Sequence, residues 1–359
     1  MAASTVASPA KLILMGEHAV VYGRPALTAT IDLWLQVQLE TRAESDVHLR
    51  LEDLDHEEIT AWSEVRAYTD AVRERWEQYR AAPTADTFAE IRGTDPAHLV
   101  KVALGEAARR WEEVGSSGLA VSIRSQQPIG AGFGSSAALA SAIVYGLTTL
   151  HDLERSYDVL YPVVMDVERR QHGTPSGVDP AAMLHGGLLW SDSSTDDGAP
   201  TPLDPSTTFP ETLQVYYTGS PNESTGTVVD EVRSRRESDA DAFEATLDRM
   251  GAATYTVYEA FVEGTISPSA LGEAIRQFEA GLETLGVVPS AIQDLIRYIE
   301  SRGGAAKISG AGALTGPGAG PLLVYHPDPH APLWAHLQQL SELDVRLGVD
   351  GVHETSTHA

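Results

Sequence analysis

Residues 128–138, PIGAGFGSSAA, place three alternate glycines and two serines directly before an apolar run, AALASAIVYGLTTL, that extends to residue 150. Gly130, Gly132 and Gly134 carry no Cβ atoms to hold a phosphate away from backbone N–H groups, and a helix opening at the serines turns its positive end toward an anion. The segment reads as a phosphate cradle in which Ser135 and Ser136 can reach a phosphate oxygen or its Mg²⁺; an ordinary Gly-Ser loop before a buried helix is the alternative. No lysine follows the glycines as in a Walker A loop. Nor does an acidic residue close a dinucleotide-binding unit at the expected distance.

At 359 residues the chain can form two compact domains with a cleft between them. No apolar run approaches the ~20 residues that cross a bilayer, and the first residues lack the order of features of a signal peptide, so a cytoplasmic location is expected. With no cysteine, disulfides, thiolate catalysis and cysteine-ligated zinc are excluded. Asp and Glu number 51 against 25 Lys and Arg, and the formal charge of −26 repels nucleic acid and anionic membrane surfaces, so neither is expected as a partner. Such an acidic surface also resembles proteins of salt-accumulating cytoplasms, where ions screen self-repulsion. Lysine occurs only at positions 11, 101 and 307, and two of these lie beside glycine-rich motifs.

Hydrophobic periodicity predicts strands over 11–14 and 26–40 around the turn GEHAVVYGRPA, and an amphipathic helix over 63–80. A helix over 98–111, a strand over 118–124, the cradle and its helix follow. Pro162 is expected to open another helix that Gly173 stops. The polar stretch after GGLLW, residues 192–209, is the expected junction between domains 1–208 and 209–359. Beyond it come a strand over 212–218, helices over 238–262, 269–285 and 289–302, and sheet at the close of the chain. Strands and helices mixed in both halves predict an α+β fold.

Four islands carry chemistry: SPAKLILMGEHAVVYG from Ser8, PIGAGFGSSAA from Pro128, HGTPSGVDP from His172 and KISGAG from Lys307. In this order and at these separations they resemble the GHMP superfamily of small-molecule kinases (galactokinase, homoserine kinase, mevalonate kinase, phosphomevalonate kinase), most closely its mevalonate kinase members. GEHAVVYG and the long HGTPSGVD island discriminate. The resemblance spans residues 8 to about 312, and is weakest over 41–98. It implies a two-domain GHMP-kinase-like fold with the active site in the cleft between domains, and ATP-dependent phosphorylation of mevalonate to 5-phosphomevalonate. Phosphomevalonate or another acceptor of the superfamily is the alternative, and a silent ligand sensor on the same fold is the reading from another class. Homodimers occur in the superfamily, which makes a homodimer the assembly to test.

By position in these motifs, the resemblance implies Lys11 and Asp179 as catalytic residues. Lys11 neutralises the transferred phosphoryl group, and Asp179 orients or deprotonates the acceptor alcohol. Without the motifs, Asp179 would read as a turn residue before Pro180 and Lys11 as a strand-edge charge. Gly130, Gly132, Gly134, Ser135, Ser136 and Ala137 are implied as ATP-binding. Ser136 and Glu168 are implied as oxygen ligands of Mg²⁺, although a glutamate on a helix surface is ordinarily just solvated. Glu17, His18 and Thr225 are implied at the acceptor pocket, with Ser224 competing for the place of Thr225. After KISGAG the chain departs from the family, running ALTGPGAGPLL where a compact glycine turn is usual. His326, His330 and His336 lie among prolines that break any shared helix, so a solvated loop is expected there rather than a metal site.

Overall fold

The computed structural model describes residues 2–128, 130–173, 175–192, 200–204, 212–263, 267–338 and 340–355. The expected boundary at 208/209 lies outside them. Twelve strands run in chain order among these residues: β1 (Ala3–Met15), β2 (Ala26–Arg42), β3 (Asp46–Leu51), β4 (His56–Ala61), β5 (Gly118–Ser125), β6 (Leu188–Ser191), β7 (Thr201–Pro202), β8 (Leu213–Tyr217), β9 (Ala305–Ile308), β10 (Pro321–Tyr325), β11 (Ser341–Leu343) and β12 (His353–Glu354). They form two sheets. The larger has the order β12-β1-β2-β5-β3-β4, with β6 pairing β2 and β7; the smaller has the order β11-β8-β10-β9. Long β2 pairs β1 on one edge and two strands on the other, β6 at Ala26–Ala29 and β5 at Leu35–Arg42.

The helices are α1 (Trp62–Ala81), α2 (Ala85–Arg92), α3 (His98–Arg110), α4 (Ser135–Leu150), α5 (Tyr157–His172), α6 (Val178–His185), α7 (Thr225–Ser238), α8 (Ala240–Glu263), α9 (Pro268–Thr284), α10 (Ser290–Ser301) and the short α11 (Leu333–Leu337). One apolar core joins α1, α3, α4 and α5 to Leu35, Val37 and Leu39 of β2 and to β3 and β5. A second core joins α8, α9 and α10 to the smaller sheet and to Ala10, Leu12 and Leu14 of β1. Strand β1 serves both, because its Val6 lies in the first core. Its small and apolar residues are buried almost throughout, the pattern of a strand covered on both faces. No helix among the described residues is long and apolar enough to cross a membrane.

The mixed α+β architecture is as expected, and several elements differ in extent. Strand β1 starts at Ala3, well before residue 11, because the small residues Ser4, Ala7, Ser8 and Ala10 are buried along its pairing with β2 without an apolar alternation to announce them. Helix α5 starts at Tyr157, with Pro162 inside it, so the expectation that Pro162 opens the helix is corrected. The β3–β4 hairpin and α7 were not predicted. On β4 the solvent alternates with only partial burial, and α7 buries just Val228 and Val232.

Candidate active site

Strand β1 carries Lys11, whose backbone N–H donates to the Phe133 carbonyl at 2.9 Å, fastening the strand beside the glycine loop. Gly134 caps α4 at φ +76°, and a Cβ there would lie 2.8 Å from Met183 Cε and 3.1 Å from Lys11 Cγ. Only glycine combines that left-handed turn with the approach of the lysine stem. Ser135 and Ser136 form the first turn of α4, so its free N–H groups face the loop. A Cβ on Gly130 would meet nothing within 4 Å, leaving the loop open on that side.

Asp179 sits in the first turn of α6, which Gly177 begins at φ +83°. Its Oδ1 lies 3.2 Å from Lys11 Nζ, with the lysine side chain 5% and the aspartate 31% exposed. Helix α5 brings Glu168 to the same place, 2% exposed. Burial, and then repulsion from Asp179, push its pKa up to about 8 against the pull of the Ser136 hydroxyl and Lys11. Glu168 Oε1 is buried with no hydrogen-bond partner. Lys11, Ser136, Glu168 and Asp179 are thus brought together by four separate elements.

Sequence reasoning gave His172 no role. Its Nε2 lies 2.9 Å from Ser136 Oγ and 3.8 Å from Glu168 Oε2. The signal was present, since His172 opens the HGTPSGVDP island four residues after Glu168, one helical turn on.

A cleft beside this cluster is lined by Gly130 and Gly132, by Glu223 and Thr225, and by Ser309 and Gly312 among others. Thr225 borders it. The Ser224 hydroxyl instead caps α7 by accepting from the Thr227 N–H at 3.2 Å. The long segment after KISGAG is tied to the TGSPNEST turn: the Leu314 N–H donates to Glu223 Oε2 at 3.0 Å and the Ala319 N–H to Thr218 Oγ1 at 2.9 Å.

His18 is buried at φ +56° and its Nε2 lies 2.9 Å from the Ala311 carbonyl oxygen. Burial lowers its pKa, which favours the neutral imidazole. Glu17 is 1% exposed and its Oε1 accepts from Lys307 Nζ. Burial raises its pKa against the opposing pull of that ammonium.

Outside this region, His56, Glu58 and Asp95 are grouped closely enough to hold a metal ion, but Lys101 Nζ stands 2.8 Å from Glu58 and 2.7 Å from Asp95 and fills the position with its own charge. His326 is buried, not solvated as expected, with its ring on the Arg302 carbonyl at 3.0 Å and the Asp328 N–H at 2.9 Å. The side chain of His336 lies outside the described residues.

Residues 98–187 match the GHMP kinases N terminal domain, which takes in α3, the glycine loop, α4, α5 and α6. The chain is 32% identical over 310 residues to the mevalonate kinase of Pyrococcus abyssi, covering 85% of this chain and 84% of that one. A crystallised mevalonate kinase superposes with a TM-score of 0.72 at 20% identity over 98% of both chains. The mevalonate kinase of L. major, solved in complex with R-mevalonate, superposes with a TM-score of 0.64 at 20% identity, over 93% of this chain and 90% of that one.

Proposed function

The chain belongs to the mevalonate kinase family of the GHMP kinases, and from that premise we propose that it transfers the γ-phosphoryl group of ATP to the C5 hydroxyl of mevalonate. One observation carries the assignment of roles: the Lys11–Asp179 pair at 3.2 Å stands beside the glycine loop and next to the orphaned oxygen of Glu168. In this reading residues 1–208 and 209–359 are the two lobes flanking the cleft, with β12 crossing back to pair β1 of the larger sheet.

Backbone N–H groups of Gly130, Gly132, Gly134, Ser135, Ser136 and Ala137 hold the triphosphate at the start of α4. The Ser136 hydroxyl and the buried Glu168 carboxylate are hard oxygen donors and suit Mg²⁺, the carboxylate having one oxygen without any protein partner. When bound, the ion would neutralise charge on the phosphate oxygens. Asp179 accepts a hydrogen bond from the acceptor hydroxyl and aims its oxygen at the γ-phosphorus. As the new O–P bond forms, the bond from that phosphorus to the β–γ bridging oxygen breaks, ADP leaves, and the hydroxyl proton passes toward Asp179. Lys11 pairs with Asp179 at 3.2 Å and offsets charge gathering on the transferred group. His18 and Thr225 border the acceptor, with Glu17 behind His18.

An ADP-release assay over mevalonate, phosphomevalonate, galactose and homoserine tests the reading. Mevalonate should give the highest kcat/KM, by at least ~10²-fold, because buried polar groups matched to one acceptor are left unpaired by the others. Phosphorus NMR should find the new phosphate on C5. Faster turnover of phosphomevalonate, or phosphate on C3, would overturn the acceptor assignment. A cytoplasmic homodimer is the proposed state, to be checked by sedimentation.

A further inference from the structure

Lys307 is one of the chain's three lysines and is fully buried. Its Nζ donates to Glu17 Oε1, to the Ile13 carbonyl at 3.3 Å and to the Ile308 carbonyl at 2.7 Å, which occupies all three N–H bonds. A second buried carboxylate, Glu279 of α9, accepts from the Ile308 N–H at 3.1 Å. Lys307 and Glu17 thus form a buried ion pair beside the second core, with the Glu279 carboxyl close enough to feel the ammonium. Apolar residues of similar volume would ordinarily stabilise such a site as well or better, so the pair is not explained by stability.

Its neighbours show what the arrangement aligns. Alternate residues of the KISGAG segment each grip the first island. Lys307 holds Glu17 and the Ile13 carbonyl. Ser309 Oγ accepts from the Ile13 N–H and donates to the Ile13 carbonyl, both at 3.0 Å. The Ala311 carbonyl meets His18 Nε2 at 2.9 Å. Ile13 lies two residues beyond Lys11 on β1, so the same strand that presents Lys11 to Asp179 is held in register by Lys307 and Ser309.

We propose that Lys307 is a positioning residue for phosphoryl transfer, acting through Glu17 and the Ile13 carbonyl to set Lys11 and the His18 turn against the Ser309–Gly312 wall of the cleft. Lys307 does not touch the acceptor, because its donors are spent and its charge is sealed from the cleft. The inference rests on the kinase reading above for its kinetic arm only.

The test compares the full-length parent with Lys307→Met, Glu17→Gln and the double variant. Lys307→Met should lower kcat at least ~10-fold while the Kd for ADP, measured by calorimetry, stays within about threefold. Removing both charges should recover most of the thermal midpoint lost in Lys307→Met and leave kcat low, and the two kcat losses should fail to multiply, as for residues acting as one unit. The His18 imidazole ¹⁵N shift, assigned against His18→Asn, should move in any folded Lys307 variant. Recovery of kcat together with the midpoint, independent multiplying losses, an unmoved His18 shift, or failure of the double variant to fold would each overturn the proposal. An inactive parent would refute the kinase reading instead, and the His18 shift would still decide this one.

Discussion

Glu168→Gln should stabilise the metal-free protein while impairing the enzyme. A carboxyl whose pKa moves from 4.5 to about 8 on folding keeps a proton that the unfolded chain has already released, throughout the window between those values. Its contribution to stability therefore falls as pH rises through that window, by about 1.4 kcal/mol per unit, and levels off above it. At pH 7 the penalty reaches about 3 kcal/mol, an order-of-magnitude figure that needs no discount for solvent because the side chain is 2% exposed. The amide of the variant has no charge to bury and no proton to hold. It should thus melt higher than the parent by about 4 °C at pH 7, given the unfolding entropy of a chain this long. The gap should shrink toward zero near pH 4.5. Thermal melts of both proteins in chelator at fixed ionic strength, from pH 5 to 8.5, measure it. Mg²⁺ with ADP should then close the gap by stabilising the parent more, since a ligand that binds only the folded form raises its midpoint. A variant that melts at or below the parent at pH 7, or a gap that does not change with pH, would refute the claim that Glu168 is a strained buried acid.

Asp179→Asn should lower kcat by ~10²-fold or more with the Kd for ATP near that of the parent, since a positioned proton acceptor contributes on that scale; full activity in steady-state assays would remove Asp179 from that role. Gly134→Ala should cost about 1–2 kcal/mol from the left-handed backbone alone, read from the denaturant midpoint, and should also depress turnover because the new methyl group crowds the Lys11 stem. The melting temperature should rise between 0.1 M and 1 M salt, where the Debye length falls from ~10 Å to ~3 Å and the charge of −26 is progressively screened. A flat or falling midpoint would dismiss adaptation to salt.

Much of the fold was legible where the chain's own neighbours decide the backbone. Helix α3, β5 and α4 stand close to the residues their periodicity marks, and the loop glycines at 130, 132 and 134 all have positive φ. The β3–β4 hairpin escaped because β4, HEEITA, lies at a sheet edge and alternates between partial burial and exposure, so it has no apolar face to detect. Helix α7 escaped because its polar sequence touches the core at only two valines. Neither is written in local hydrophobicity.

The sequence by itself determined which residue types stand in the four islands and the left-handed turns that let backbone come close, because dihedral preference and periodicity are local properties. Tertiary structure decided which of those residues meet. Glu168 becomes an acid of pKa about 8 only because α5 carries it out of water and toward Asp179. Glu17, in the first island, accepts from a lysine 290 positions away in the chain. Desolvation and Coulomb interaction depend on distance and on exclusion of water, and neither quantity exists until the strands and helices have packed.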